Sequence, residues 1–131
     1  MRVEIRSLQN HSLAIGSAGS RTVTIDRSAD SGGLGLGFNG GELLFLDIGG
    51  CFSNDLYREA PKFAVEIKSV HIEVSGDWGG EPVRAQNVTL SAHVEADAPP
   101  EKIRELIEHT NRVAEIPNSL RLGTDVNMSI K

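Results

Sequence analysis

Cysteine is almost missing from this chain. Cys51 stands alone among 131 residues, so no disulfide can close within one chain, a pattern that fits a reducing compartment. Basic residues are the minority: 13 Lys and Arg face 18 Asp and Glu, giving a formal charge of -5. That balance supplies no electropositive footprint for nucleic-acid phosphates or an anionic membrane surface. Long apolar runs are missing too, since no stretch approaches the roughly 20 residues of a membrane span. The opening MRVEIRSLQN alternates polar and apolar residues and has no h-region of a signal peptide. A soluble, cytoplasmic protein without nucleic-acid or membrane partners is the expectation. The length suits one domain over residues 1–131, built around one core.

What is present concentrates between Asn39 and Arg58, NGGELLFLDIGGCFSNDLYR. Leu43, Leu44, Phe45, Leu46 and Ile48 are apolar around nearly the whole circumference of a helix, which predicts a central helix buried on all sides. Cys51 lies three residues past Ile48 and four past Asp47, so the three share one face and a buried acid is expected beside the thiol. Gly49 and Gly50 precede the cysteine, each costing about 1 kcal/mol in a helix relative to alanine. Close approach of a substrate to the sulfur and tight packing against a crossing element are both open explanations.

The other elements follow from periodicity. Val3/Ile5, Leu13/Ile15 and Val23/Ile25 read as three half-buried strands with turns at Asn10-His11 and Ser17–Ser20. The loop Arg27–Gly41 contains Gly35-Leu36-Gly37-Phe38-Asn39-Gly40, a formal dinucleotide fingerprint. A polar loop precedes it rather than a strand, so the reading is a flexible approach to the helix, or a lid, and no cofactor is expected. The helix should run from about Gly41 to Glu59 and stop near Pro61. Val65 and Ile67 have one parity and Val70, Ile72 and Val74 the other, which predicts a bulge near Ser69. Gly76–Pro82 reads as a hairpin loop. Val88, Leu90, Ala92, Val94 and Ala96 then alternate as the second of two long antiparallel strands. An amphipathic helix starts at Pro99-Pro100 and is interrupted by Pro117. Val126, Met128 and Ile130 read as a closing strand. The fold class is α+β, in the order βββ-α-ββ-α-β, with a central helix whose cover calls for a dimer.

Order and central stretch together resemble the OsmC/Ohr family of thiol-dependent hydroperoxide reductases. The family pattern Asn-Pro-x-Glu-Leu-Leu-Leu, two variable residues, an apolar residue, two small residues and Cys is matched in spacing by Asn39 to Cys51. The tail is similar as well: an amphipathic helix from Pro100 to Ala114, Ile116-Pro117 where the family has Cys-Pro, and Asn118-Ser119-Leu120-Arg121. The resemblance implies an intertwined homodimer acting in oxidative stress on organic hydroperoxides, reset by a small dithiol. Cys51 matches the attacking cysteine, and the position of the second is Ile116. The family's catalytic Glu falls on Gly41, with Glu42 beside it, and Arg21 lies in the region that provides the activating arginine.

By residue type alone a lone helical cysteine reads as an inert core residue; with the resemblance, two hypotheses stand side by side. In the first, Cys51 is a one-cysteine reductase assisted by Arg21 and Glu42, with Asp47, Gly50 and Trp78 lining or modulating the pocket; Asp47 would raise the thiol pKa and Arg21 lower it. In the second, an OsmC-like dimer without catalysis binds an apolar small molecule or partner at its interface. Trp78, in GDWGG, is expected either to pack on its own sheet or to anchor a partner. His71 and His93 fall on the polar parity of their strands and His109 on the polar side of the last helix. No helical His-x3-His spacing occurs, and no metal site is expected.

Overall fold

Short alternating segments separated by Asn, Gly and Ser give a three-stranded antiparallel sheet at the N-terminus: β1 (Glu4–Ser7), β2 (Ala14–Ala18) and β3 (Arg21–Ile25), in the order β1-β2-β3. A computed structural model describes residues 1–131 and divides them into two compact units, Met1–Leu44 and Phe45–Lys131. In the first unit, the turn after β2 is shorter than the sequence suggests, because pairing continues to Ala18↔Arg21. The buried residues of β2 are Ala14 and Gly16, while Ile15 and, on β1, Ile5 are exposed. The expected burial of the Val3/Ile5 and Leu13/Ile15 parity is corrected for β1 and β2: the opposite face of β2 is the buried one, and the chain leaves the larger apolar side chains uncovered.

The glycine-rich loop is organised by a buried acid. Asp26 accepts hydrogen bonds from Ser12 Oγ (2.8 Å) and from the N–H groups of Arg27 (2.8 Å), Leu34 (3.0 Å) and Leu36 (3.2 Å). Burial alone would raise its pKa, but the Ser12 hydroxyl and these N–H groups hold it below the usual carboxylate value. The loop lies against β3 through Asp26 N–H to Phe38 O and Phe38 N–H to Thr24 O. A Cβ at Gly37 would sit 2.6 Å from Thr24 O, so glycine is required there by close backbone approach. β3 ends ten residues before Gly35 and its sheet is wholly antiparallel. The fingerprint is therefore a packed loop, neither a nucleotide turn nor a free lid.

α1 (Gly40–Glu59) begins with a reciprocal cap. Glu42 N–H donates to Asn39 Oδ1 at 3.0 Å and Asn39 N–H donates to Glu42 Oε2 at 2.8 Å. The helix passes into a 3-10 turn, Ala60–Phe63, that contains Pro61. Within the second unit its buried positions are Ile48, Gly49, Phe52, Asp55, Leu56 and Glu59, one face at helical spacing. Leu46 (53%) and Tyr57 (51%) are exposed. The expectation of burial on all sides is corrected: one chain covers one face.

That face packs on a two-stranded ribbon, β4 (Glu66–Gly79) and β5 (Arg84–Asp97). The parity change in β4 is a bulge between Ile67 and Ser69. The strands pair out to Gly79↔Arg84, so the expected Gly76–Pro82 loop shrinks to residues 80–83. α2 (Pro100–Val113) adds Leu106 to the core of Phe52, Leu56, Val65 and Val94, each such apolar side chain contributing about 1.5–3 kcal/mol by burial. The chain then breaks at Ala114 and restarts as α3 (Glu115–Leu122). Pro117 sits inside the first turn of α3, where its missing N–H breaks no helical bond; the interruption comes three residues earlier than the proline suggested. The expected closing strand is not formed, and Val126, Met128 and Ile130 are 93%, 86% and 88% exposed. A strand needs a neighbour for its backbone groups, and nothing in the chain offers one there.

Candidate functional site

Cys51 is half-buried on α1. Its thiol donates to Asp55 Oδ2 at 3.6 Å, the i+4 position, one turn on. Arg58, a further three residues along, places Nη1 3.0 Å from Asp55 Oδ1 and 3.0 Å from Glu115 Oε1. Glu115 opens α3, and the N–H of Ile116, in the same turn, is near enough to the sulfur to favour its thiolate form. Thus two helices converge on one sulfur, with two carboxylates, one guanidinium and one peptide N–H around it.

The charges have a definite direction. Burial pushes the Cys51 thiol above its ordinary pKa; the Ile116 N–H opposes this, and negative charge on Asp55 and Glu115 adds to it. Asp55 is also raised, first by burial and then by Glu115, against the pull of Arg58. Glu115 is lowered, its own N–H and Arg58 outweighing burial. The raised thiol is protonated at neutral pH and donates to Asp55, whose own basicity burial enhances. The Cys51, Asp55 and Glu115 donor atoms lie within 4.8 Å of one another, a set of one soft sulfur and two hard carboxylate oxygens. Arg58 already sits on both carboxylates, so the local cation is the guanidinium.

Arg58 is fixed from behind by Nε to Glu59 Oε1 at 3.0 Å, and Glu59 Oε2 is 2.7 Å from His109 Nε2. Buried Glu59 is held down to about 2 by Lys62, Arg58 and His109. His109 therefore faces inward, its ring tilted 54° to that of Phe63 with centroids 5.1 Å apart, which corrects its assignment to the polar side of the helix.

The other expected site residues lie elsewhere. Asp47 is exposed and makes no hydrogen bond or ion pair; the buried acid beside the thiol is Asp55. Glu42 has its carboxylate in the helix cap, nine residues before Cys51. Arg21 is the exposed first residue of β3 in the N-terminal unit, opposite Ala18. Trp78 stacks on Phe45, centroids 6.1 Å and planes 13° apart, while remaining half exposed. The two glycines divide the explanations offered for them: a Cβ on Gly49 would meet Val74 Cγ2 at 3.2 Å, whereas one on Gly50 meets nothing within 4 Å. Gly49 is packing; Gly50 is open. Asp55, Arg58 and Glu115 are not among the site residues expected from sequence; helical spacing, i+4 and i+7 from Cys51, is the signal that would have found the first two, and Glu115, distant in sequence, has none.

The family model described as OsmC-like protein matches residues 31–129. This chain belongs to the OsmC-like family. Among solved structures, an OsmC-like protein from Mycoplasma pneumoniae is similar with TM-score 0.81 and 16% identity, over 94% of this chain and 87% of that one. An organic hydroperoxide resistance protein OsmC from Legionella pneumophila gives 0.69 and 18%, over 92% and 90%. The organic hydroperoxide resistance protein OhrB of Bacillus subtilis gives 0.68 and 20%, over 95% and 93%. No curated protein matches the chain. Cys51, Asp55, Arg58 and Glu115 fall inside the OsmC-like segment, and Arg21 falls outside it. No helix is long and apolar enough to cross a membrane.

Proposed function

We propose that this OsmC-like protein reduces organic hydroperoxides through Cys51 alone, with Asp55 as the proton relay. The observation that carries the reading is the Cys51 Sγ to Asp55 Oδ2 hydrogen bond, with Arg58 on the other carboxylate oxygen. As Sγ attacks the terminal peroxide oxygen, the S–O bond forms and the O–O bond breaks. Sulfur loses two electrons and the peroxide gains them. The thiol proton passes to Asp55 and returns to the departing alkoxide, giving Cys51 sulfenic acid and an alcohol. A small thiol then attacks the sulfenic sulfur, releasing water and leaving a mixed disulfide; a second thiol group restores Cys51 and leaves as a disulfide. With Ile116 at the position of a second cysteine, the reductant must come from outside the chain.

The active form in this reading is a cytoplasmic homodimer whose second copy covers the exposed faces of α1 and pairs with the tail carrying Val126, Met128 and Ile130. The test is consumption of cumene hydroperoxide with dihydrolipoamide by the wild type and by Cys51→Ser. Equal rates overturn the assignment.

The raised thiol favours a second reading, an OsmC-like module that binds without catalysis. An open pocket of about 280 Å³, with Phe52, Leu90, Ala92 and Ile107 on one side and Glu108, Asn111 and Arg121 on the other, offers a place for a small ligand that has both an apolar and a polar part. A thiol that alkylates only after denaturation supports this alternative.

A further inference from the structure

The outer face of the β4–β5 ribbon carries two histidines in direct register. His71 pairs with His93, flanked by Ser69↔Glu95 and Glu73↔Ser91. Side chains two apart on a strand share a face, and those directly opposite have Cβ atoms about 4.5–5.5 Å apart. Both imidazoles are 74% exposed. His71 Nε2 lies 3.9 Å from Glu73 Oε1, and His93 Nε2 lies 3.9 Å from Glu95 Oε1. At 3.9 Å neither imidazole is hydrogen-bonded to its carboxylate, so both keep a free nitrogen. The Ser69 hydroxyl holds Glu95 Oε2 at 2.9 Å, which leaves Oε1 toward His93.

From this register we infer that His71 and His93 form a cross-strand site for a divalent transition-metal ion, with Glu73 and Glu95 as the adjacent oxygen donors. Metal–nitrogen and metal–oxygen bonds near 2.0–2.2 Å with tetrahedral angles separate donors by roughly 3.3 Å. The 3.9 Å gaps lie within each strand, His71 to Glu73 and His93 to Glu95, so closing on one ion requires the two imidazoles to turn toward each other across the ribbon, which their exposure allows without disturbing the core. The bulges at Ile67/Ser69 and Ser75/Asp77 lie outside the Ser69–Ser75 stretch, so the pairing there is regular. Paired imidazoles suit Zn²⁺, Ni²⁺ and Cu²⁺, with Cu²⁺ bound most tightly.

The experiment is calorimetric titration of the full chain carrying Cys51→Ser, which removes the thiol as a competing ligand, with Zn²⁺ and with Ni²⁺. One saturable site per chain is expected. His71→Ala and His93→Ala should each weaken it at least about tenfold, and the double variant should go no further than the loss of chelation. Copper EPR should show two coordinated nitrogens in the parent and one in each single variant. Absence of saturable binding, or single variants that bind as the parent does, would overturn the site. Neither result bears on the hydroperoxide reading, because the titrated chain lacks Cys51.

Discussion

Cys51 and Asp55 share one hydrogen bond on one helical face, sulfur to carboxylate oxygen at 3.6 Å. The pair makes two measurable quantities move in opposite directions. In Asp55→Asn the negative charge that raises the thiol is gone, so alkylation of Cys51 by iodoacetamide at pH 7 should quicken severalfold. Loss of the relay should at the same time slow hydroperoxide turnover by roughly 100-fold, the usual range for a general acid–base group. A variant that is merely misfolded would not show faster alkylation with slower turnover. Parallel changes in both rates count against the relay.

Glu59 and Asp55 respond to acid with opposite signs. Glu59, at about 2 in the fold against an ordinary 4.5, contributes stability that is fully present above about pH 4.5 and is lost as pH falls toward 2. Asp55, raised by burial, has the reverse dependence: its protonated form favours the fold, and that contribution fades as pH rises through its folded pKa. Glu59→Gln should therefore lower the melting temperature clearly at pH 7, and the two proteins' melting curves should converge toward pH 2–3. A constant offset across that range would place the effect in packing rather than charge.

Much of the architecture was legible because it depends on nearest neighbours in sequence. The alternation from Val88 to Ala96 and the parity change before Val70 located both long strands and the bulge. Asn39 and Glu42, three apart, are a helix start, yet family resemblance drew Glu42 toward catalysis; local capping is the role the geometry displays. Asp55 was missed for a different reason. A helical acid reads as solvated until its partners are known, and Glu115, which meets it, lies on a later helix far along the chain. Asp26 likewise reads as a turn residue, and its burial becomes evident only when the loop returns to place Leu34 and Leu36 against it.

The cap gives a sharp separation of stability from chemistry. Asn39→Ala should cost about 1 kcal/mol in chemical denaturation. Glu42→Gln should cost less, since an amide oxygen can still accept from the Asn39 N–H. Neither should alter the rate at which Cys51 is alkylated in the folded protein. A large change in that rate for Glu42→Gln would return Glu42 to the chemical site.

Gly49 and Gly50 should part company when each is replaced by alanine. Helix propensity favours both changes by about 1 kcal/mol. At Gly49 the new methyl meets Val74 Cγ2 at 3.2 Å and Ile72 Cγ2 at 3.4 Å, so Val74 on β4 must give way by a few tenths of an ångström, and overpacking costs about 1–3 kcal/mol. Gly50→Ala should therefore be the more stable variant by at least about 1 kcal/mol, read from denaturant midpoints at constant slope.

The tail supplies the test of assembly. Val126, Met128 and Ile130 alternate as a strand does, yet they remain exposed and unpaired within the chain, and an alternating apolar segment without a neighbour leaves backbone donors and acceptors to be met from outside. A second copy of the chain meets that need in the proposed homodimer. Removal of residues 124–131 should shift the protein from dimer to monomer in sedimentation velocity and make its melting temperature independent of protein concentration. Substitution of Met128 by Lys should weaken the dimer in the same direction while leaving helix content by circular dichroism unchanged. A full-length chain that sediments as a monomer at tens of micromolar would remove the dimer from the functional reading, and with it the cover expected for the exposed side of α1.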